Sequence, residues 1–343
     1  MPIDSTFPLP LLASLLRQED HAGETGTLDN GVRWACWDEG VLLLEPADTV
    51  HSLALDVVVS CGIHGDETAP IEWLDQLLPI LGQNGNGPGC RLLLVWGHPA
   101  AIRAGKRFID YDLNRLFSVD ARDAINASEA WRARLLEEYL IRFYAMGHGK
   151  RLHLDLHASI RPSLFPLFAL IPGGGNPDWL IELARQSGIQ AVLFQSDPAA
   201  TFSAFSARHC SAAAVTFELG QARPLGQNDL SALAPLTNML HCLLADIPAA
   251  SCDRPATISV FRVSRSIIRH DESFNLHLSS ELANFSLLRE GELIAEDQFG
   301  PLYAAKDERV LFPNPLVAIG QRAGLLVVPI QSQCKKTKSR SVD

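Results

Sequence analysis

Four stretches of this chain bring together residue types that bind metal, move protons and grip anions. In CGIHGDETAP (61–70) an apolar run opens into a glycine-flanked turn that carries His64 and Glu67 three residues apart, and a turn can aim both side chains at one point. Alone, His-x-x-Glu is weak evidence, because a loop histidine beside a solvated glutamate is the commoner arrangement. In LHLDLHASIR (152–161) an apolar alternation interrupted by charged residues ends at His157. Catalytic zinc takes three protein ligands from histidine and carboxylate and keeps a fourth position for water. His64, Glu67 and His157 supply that set for one zinc ion per chain, and cobalt or manganese would fit the same ligands. His153, on the same run, competes as a ligand; His157 is preferred because it stands at the strand's end. Asp155 would either hold the second nitrogen of His157 or tie one strand to the next, and spacing does not separate the two.

The other two stretches add a base and a set of cations. In AVTFELG (214–220) a glutamate closes a hydrophobic strand. Burial raises a carboxyl pKa toward the range useful for proton transfer, so Glu218 beside a zinc-bound water is the candidate general base and then acid. The stretch GKRFIDYDLNRLF (105–117) has no clean period and reads as a structured loop carrying Lys106, Arg107, Asn114 and Arg115. A guanidinium binds a carboxylate through two parallel hydrogen bonds. Arg115 with Asn114 is therefore a candidate clamp for an acidic substrate, and Arg107 a candidate partner for the oxyanion that develops during attack. Arg161, four residues beyond His157, is a further clamp. Any one of these basic residues would more often be a surface charge; several of them near one metal set point to an anionic substrate.

Such residues need elements to hold them. Short apolar runs at 55–60, 91–96, 152–156, 192–194 and 212–219 alternate with segments of helical period at 68–81, 127–146, 177–187 and 229–245, Thr68 being the expected N-cap of the first. Strands alternating with helices give an α/β fold, a mainly parallel mixed sheet flanked by helices. In such sheets ligands bind beyond the carboxyl ends of the strands, where the proposed ligands and Glu218 fall. Around 246–257 the periodicity is lost and Pro and Ser accumulate; beyond it come only short strand-like pieces such as ISVFRV, ELIAED, RVLF and LLVVPI. The expected division is a catalytic domain over 1–250 and a smaller C-terminal β-rich domain over 251–343 that ends in the polar tail KKTKSRSVD.

The bulk composition limits the partners. With 47% hydrophobic and 20% charged residues the chain can bury a large core rather than stay disordered. Its 39 acidic against 29 basic side chains leave a net charge of −10, which repels phosphate backbones and anionic lipid, so neither nucleic acid nor membrane is expected as a partner. A small anionic ligand still fits where a few arginines set the local field. No apolar run has the length of a membrane span, and the N-terminus lacks the basic-then-apolar layout of a secretory signal. Seven scattered cysteines fit a reducing cytoplasm better than a disulfide framework. The sequence does not specify an oligomeric state.

Taken together, GIHGDETAP, RFIDYDLNRLF, LHLDLHASIR and TFELG resemble the zinc carboxypeptidase superfamily, and specifically its succinylglutamate desuccinylase and aspartoacylase branch. His-x-x-Glu, a long gap and then His is that family's metal pattern. The 89 residues between Glu67 and His157 are similar to the gap in that branch and fewer than in the digestive carboxypeptidases. The likeness continues through TFSAFSARHCSAAAVTFELGQARPLGQNDL (201–230), IRHDESFNLHL (268–278) and LFPNPLVAIGQRAGLLV (311–327). HASIRPS (157–163), with Arg161, is nearer the desuccinylase pattern than the aspartoacylase one. Asp66 stands where Asn is expected, and Pro162 where Gly is expected. The resemblance implies hydrolysis of an N-acyl amino acid, N-succinyl-L-glutamate, to succinate and L-glutamate, the last step of bacterial arginine breakdown through succinylated intermediates. It also implies that the C-terminal β-rich domain packs beside the cleft and narrows it.

Overall fold

The computed structural model describes residues 11–47, 54–83, 87–118, 122, 125–173, 177–195, 200–245, 257–279 and 281–330. The expected domain boundary at 246–257, save residue 257, and the polar tail lie outside the described residues. Helix α1 (Leu11–Leu16) precedes three short strands, β1 (Thr25–Thr27), β2 (Arg33–Asp38) and β3 (Val41–Glu45). Strands and helices then alternate except at α3/α4 and β6/β7: β4 (Leu55–Cys61), α2 (Thr68–Leu81), β5 (Arg91–Trp96), α3 (Pro99–Ala104), α4 (Ser128–Ala145), β6 (Lys150–Ser159), β7 (Leu167–Pro172), α5 (Pro177–Gln186), β8 (Ala191–Gln195), α6 (Phe202–Cys210), β9 (Ala213–Gln221) and α7 (Ala234–Ala245). Among the described residues the elements of the C-terminal part are all β: β10 (Ser259–Ile268), β11 (Asn275–Leu276), β12 (Ser286–Leu287), β13 (Leu293–Asp297), β14 (Gly300–Tyr303), β15 (Arg309–Leu311) and β16 (Arg322–Pro329).

One large sheet runs in the order β1-β2-β3-β5-β4-β6-β9-β7-β8-β10-β16-β15-β12, and a small one in the order β11-β13-β14. Its centre is parallel from β5 through β4 and β6 to β9, turns antiparallel at β9/β7, and is parallel again through β7, β8 and β10. The central strands read as continuous apolar runs because both faces are covered. Val57 and Val59 pack in a core with Leu74 of α2, Leu183 of α5 and Leu240 of α7. Val58, pointing the other way, packs with Leu136 and Phe143 of α4 and Phe202 of α6. The expected α/β architecture is therefore the one observed.

Two local expectations differ. Thr68 is not the cap of α2 but its first residue; Glu67 takes the cap position, and the Thr68 hydroxyl donates to the Arg223 carbonyl at 2.6 Å. The single helix expected over 229–245 splits into a 3-10 turn at Leu230–Leu233, capped by Asp229, and α7. Pro235 supplies the reason, since its ring is tolerated in a first helical turn but not in a helix interior. Strand β10 joins the two parts of the chain. Residues Ser259–Arg262 pair in parallel with β8, while the strand also pairs antiparallel with β16 along Phe261–Ile268. None of the described helices is long and apolar enough to cross a membrane.

Candidate metal centre

Three neighbouring parallel strands, β4, β6 and β9, bring their carboxyl ends together, with β5 on the far side of β4. The strand order reverses between β4 and β6, the kind of place at which open α/β sheets bind ligands. The chain leaves β4 through Gly62, whose φ of +63° is left-handed and suits glycine. Gly65 then lies so close to α3 that a Cβ there would stand 2.1 Å from the Ala101 carbonyl carbon. Its N–H donates to the Arg107 carbonyl at 3.2 Å. The turn bearing His64 and Glu67 is thus seated on α3 and on the Arg107 segment at once. On the next strand His157 stands near the end of β6, in register with Glu218 of β9.

His64, Glu67 and His157 are all buried, and each offers one ligand atom within 4.8 Å of the other two. The Nδ1 atoms of both imidazoles face the same carboxylate, His64 at 2.8 Å from Glu67 Oε1 and His157 at 2.9 Å from Glu67 Oε2. Arg107 Nη1 donates to Oε1 at 2.9 Å and the Ala158 N–H to Oε2 at 3.1 Å. Each ring also meets a second carboxylate through Nε2: Asp112 lies 3.0 Å from His64 and Asp155 3.2 Å from His157. An imidazole that binds a cation through Nδ1 carries its proton on Nε2, and here both Nε2 atoms have carboxylate acceptors. The residues present therefore fit a divalent cation with nitrogen and oxygen preferences.

Behind His157 the support continues inward. Ser60 of β4 donates to Asp155 Oδ1 at 2.6 Å and lies 2.9 Å from His153 Nε2. Burial brings the His153 pKa down to about 4, so this ring is neutral and its Nε2–H donates to the serine. Asp155 thus serves both roles that the sequence left open, holding His157 and tying β6 to β4. His153, the competing ligand, lies behind Asp155 and outside the triad.

The electrostatics follow from the crowding. Burial raises the Glu218 carboxyl, and repulsion from Glu67 adds to it; His157, Arg107 and His64 oppose them, and the result is about 7. Burial would also raise Glu67, but His64 and His157 more than offset this and hold it well below the usual carboxylate range.

The anion-binding candidates divide. Arg107 joins the cluster. Asn114 is buried, and its amide oxygen accepts from the Phe202 N–H at 3.0 Å, so it pins the start of α6. Arg115 is exposed and donates to the Asn114 carbonyl. Arg161 lies in the connection after β6, and Lys106 is exposed.

Sequence reasoning missed Asp112 and Glu129. Asp112 also caps the 3-10 turn Leu113–Arg115 by accepting from the Asn114 N–H, and that two-residue spacing is the one local signal it gives. Glu129, fully buried in the first turn of α4, accepts from the N–H groups of Ile109 and Asp110 at 3.0 and 2.9 Å and lies 3.2 Å from His98 Nε2. It thereby fixes the loop that presents Arg107 and Asp112. Burial raises its carboxyl, but the backbone donors and His98 bring it down to about 2. A carboxylate depressed on folding contributes stability that is complete above its unfolded pKa of about 4.5 and is lost as pH falls toward the folded value. Glu129→Gln should accordingly lower the unfolding free energy by about 2 kcal/mol at pH 7 and by clearly less at pH 3, as read from urea unfolding. An equal difference at both pH values would show that the carboxylate charge is not what holds the loop.

Residues 54–244 match the family described as the succinylglutamate desuccinylase/aspartoacylase catalytic domain, and residues 256–330 match the AstE/AspA barrel-sandwich hybrid domain. The chain belongs to the succinylglutamate desuccinylase/aspartoacylase family. Among members of that family, the succinylglutamate desuccinylase of Pseudomonas putida is 40% identical over 328 residues, 94% of this chain and 97% of its own. That of Serratia proteamaculans is 40% identical over 323 residues, covering 93% and 97% of the two chains. The crystal structure of succinylglutamate desuccinylase from Vibrio cholerae superposes with a TM-score of 0.87 at 34% identity, over 95% of this chain and 96% of that one. Murine aminoacylase 3, at 20% identity and a TM-score of 0.53, shares the fold.

Proposed function

We propose that this member of the desuccinylase/aspartoacylase family hydrolyses N-succinyl-L-glutamate to succinate and L-glutamate, using zinc held by His64, Glu67 and His157. The observation that supports this reading most strongly is the convergence of two imidazole nitrogens and a carboxylate within 4.8 Å, with Glu218 beside them in register with His157. The substrate rests on relatives named succinylglutamate desuccinylase that match over nearly their whole length. Zinc in this site would act as a Lewis acid for the amide carbonyl and lower the pKa of the attacking water.

The protein's own groups do the rest. Glu218, with a carboxyl near 7, takes a proton from the water as its oxygen adds to the succinyl carbonyl. It returns that proton to the amide nitrogen as the C–N bond breaks, so succinate leaves with the water oxygen and glutamate leaves as the amine. Arg107 faces the negative charge that grows on the carbonyl oxygen. Asn114, Arg115 and Arg161 hold the carboxylates of this small anionic substrate and contribute mainly by orientation. The catalytic unit is assigned to 1–250, and the β-rich unit over 251–343 narrows access to it.

The test compares metal-free and zinc-restored protein on N-succinyl-L-glutamate and N-acetyl-L-aspartate. Glutamate should be released by the zinc-restored sample alone, and faster than aspartate is. Turnover that persists without metal would overturn the zinc assignment, and a preference for N-acetyl-L-aspartate would overturn the acyl assignment.

A further inference from the structure

The connection from β6 to β7, residues 160–166, has the exposed side chains Ile160, Pro162 and Leu164 and carries Arg161. Its backbone is held from the C-terminal part of the chain by Asn284, which is fully buried. The Asn284 N–H donates to the Pro162 carbonyl at 2.9 Å, and the Leu164 N–H donates to the Asn284 carbonyl at 3.1 Å. Ser163 is thereby bracketed in a short parallel bridge with Asn284. The side chain extends the hold, with Nδ2 donating to Ser159 Oγ at the end of β6 at 3.1 Å. Oδ1 accepts from the Phe312 N–H at 2.8 Å and anchors Asn284 within its own domain.

Phe285, the next residue, fixes this contact in place. Its φ is +67°, a conformation that a bulky residue adopts only when its surroundings require it. Its ring is fully buried edge-on against Phe165 and Phe168 at 5.1 and 5.2 Å. Asn284 and Phe285 therefore form a two-residue staple, polar toward the loop and apolar beneath it, that reaches the segment beginning two residues after His157. A surface loop tied at both flanks of Ser163 and at Ser159 has little freedom to move Arg161.

We infer that Asn284 is a positioning residue through which the C-terminal domain sets the place of Arg161 and so the fit of the substrate's carboxylate. The inference rests on the reading of Arg161 as a carboxylate clamp given above. Loss of a buried polar partner weakens such a site by roughly ten-fold or more. Asn284→Ala should raise KM for N-succinyl-L-glutamate by about ten-fold while kcat changes by less and zinc stays at one per chain. Ser159→Ala removes the same side-chain bond from the other end and should shift KM in the same direction by a smaller factor. It also reads the contact if Asn284→Ala does not fold.

The decisive comparison is a double-mutant cycle with Arg161→Ala. Because Asn284 acts through Arg161, the double variant should have a KM close to that of Arg161→Ala alone. Full multiplication of the two effects would overturn the inference, as would a folded Asn284→Ala with unchanged KM while Arg161→Ala raises it. An unchanged KM in Arg161→Ala itself would instead overturn the clamp reading on which the inference depends.

Discussion

Replacing Glu218 with glutamine should lower kcat for N-succinyl-L-glutamate by about a thousand-fold or more while leaving one zinc bound per chain, since positioned proton transfer contributes about 10² to 10⁴. The substitution keeps the shape of the side chain and removes its capacity to accept and return a proton. Glu218 lies beside the triad rather than within it, so the metal should be retained. The glutamine also relieves the repulsion between Glu218 and Glu67, a reason to expect zinc-free Glu218→Gln to be no less stable than the parent. The measurement is steady-state turnover together with zinc content on the same preparation. Activity within a few-fold of the parent would remove Glu218 from the proton-transfer role; loss of zinc alongside activity would place it among the ligands.

His157→Ala should fail at an earlier step. Removing this ring takes away one of three protein donors and leaves Asp155, which is fully buried, without its His157 partner. Loss of an outer partner of a ligating histidine typically costs about 10 to 100-fold in metal affinity, and loss of the ligand itself should exceed that. Zinc affinity is expected to fall more than about 100-fold by competition with a chromophoric chelator, with activity absent at limiting zinc. The stranded carboxylate should also lower stability by about 1 to 3 kcal/mol. Zinc held as tightly as in the parent would mean that His153 or another donor completes the site. The two variants separate two failures, a metal site without its base and a base without its metal.

The parts of the site legible in the sequence are those that strand periodicity marks. His64 and Glu67 follow the end of one apolar run, His157 lies near the end of another, and Glu218 near the end of a third; polar residues at such places stand out against their surroundings. Asp112 does not, because its partner His64 is 48 residues away and only the folding of the Arg107 segment onto the turn after β4 brings the two together. Asn114 reads as an anion clamp from its neighbours, while its hold on the start of α6 leaves no mark in the sequence, because the Phe202 N–H it accepts from is 88 residues away. Strands β1 to β3 and β7 are also absent from the expected elements; VLLLE (41–45) and LFALIP (167–172) are apolar runs that take their place as strands by pairing with β5 and with β8 and β9.

The sharing of β10 between the two parts of the chain bears on how the protein behaves among copies of itself. Beside β8, the Ser259–Arg262 stretch occupies hydrogen-bonding positions along Ala191–Phe194 that would otherwise face solvent. A chain shortened before β10 would leave the apolar β8 paired with β7 alone, its other edge a template on which strands of other molecules could build. The small domain is thus an edge guard for the catalytic sheet.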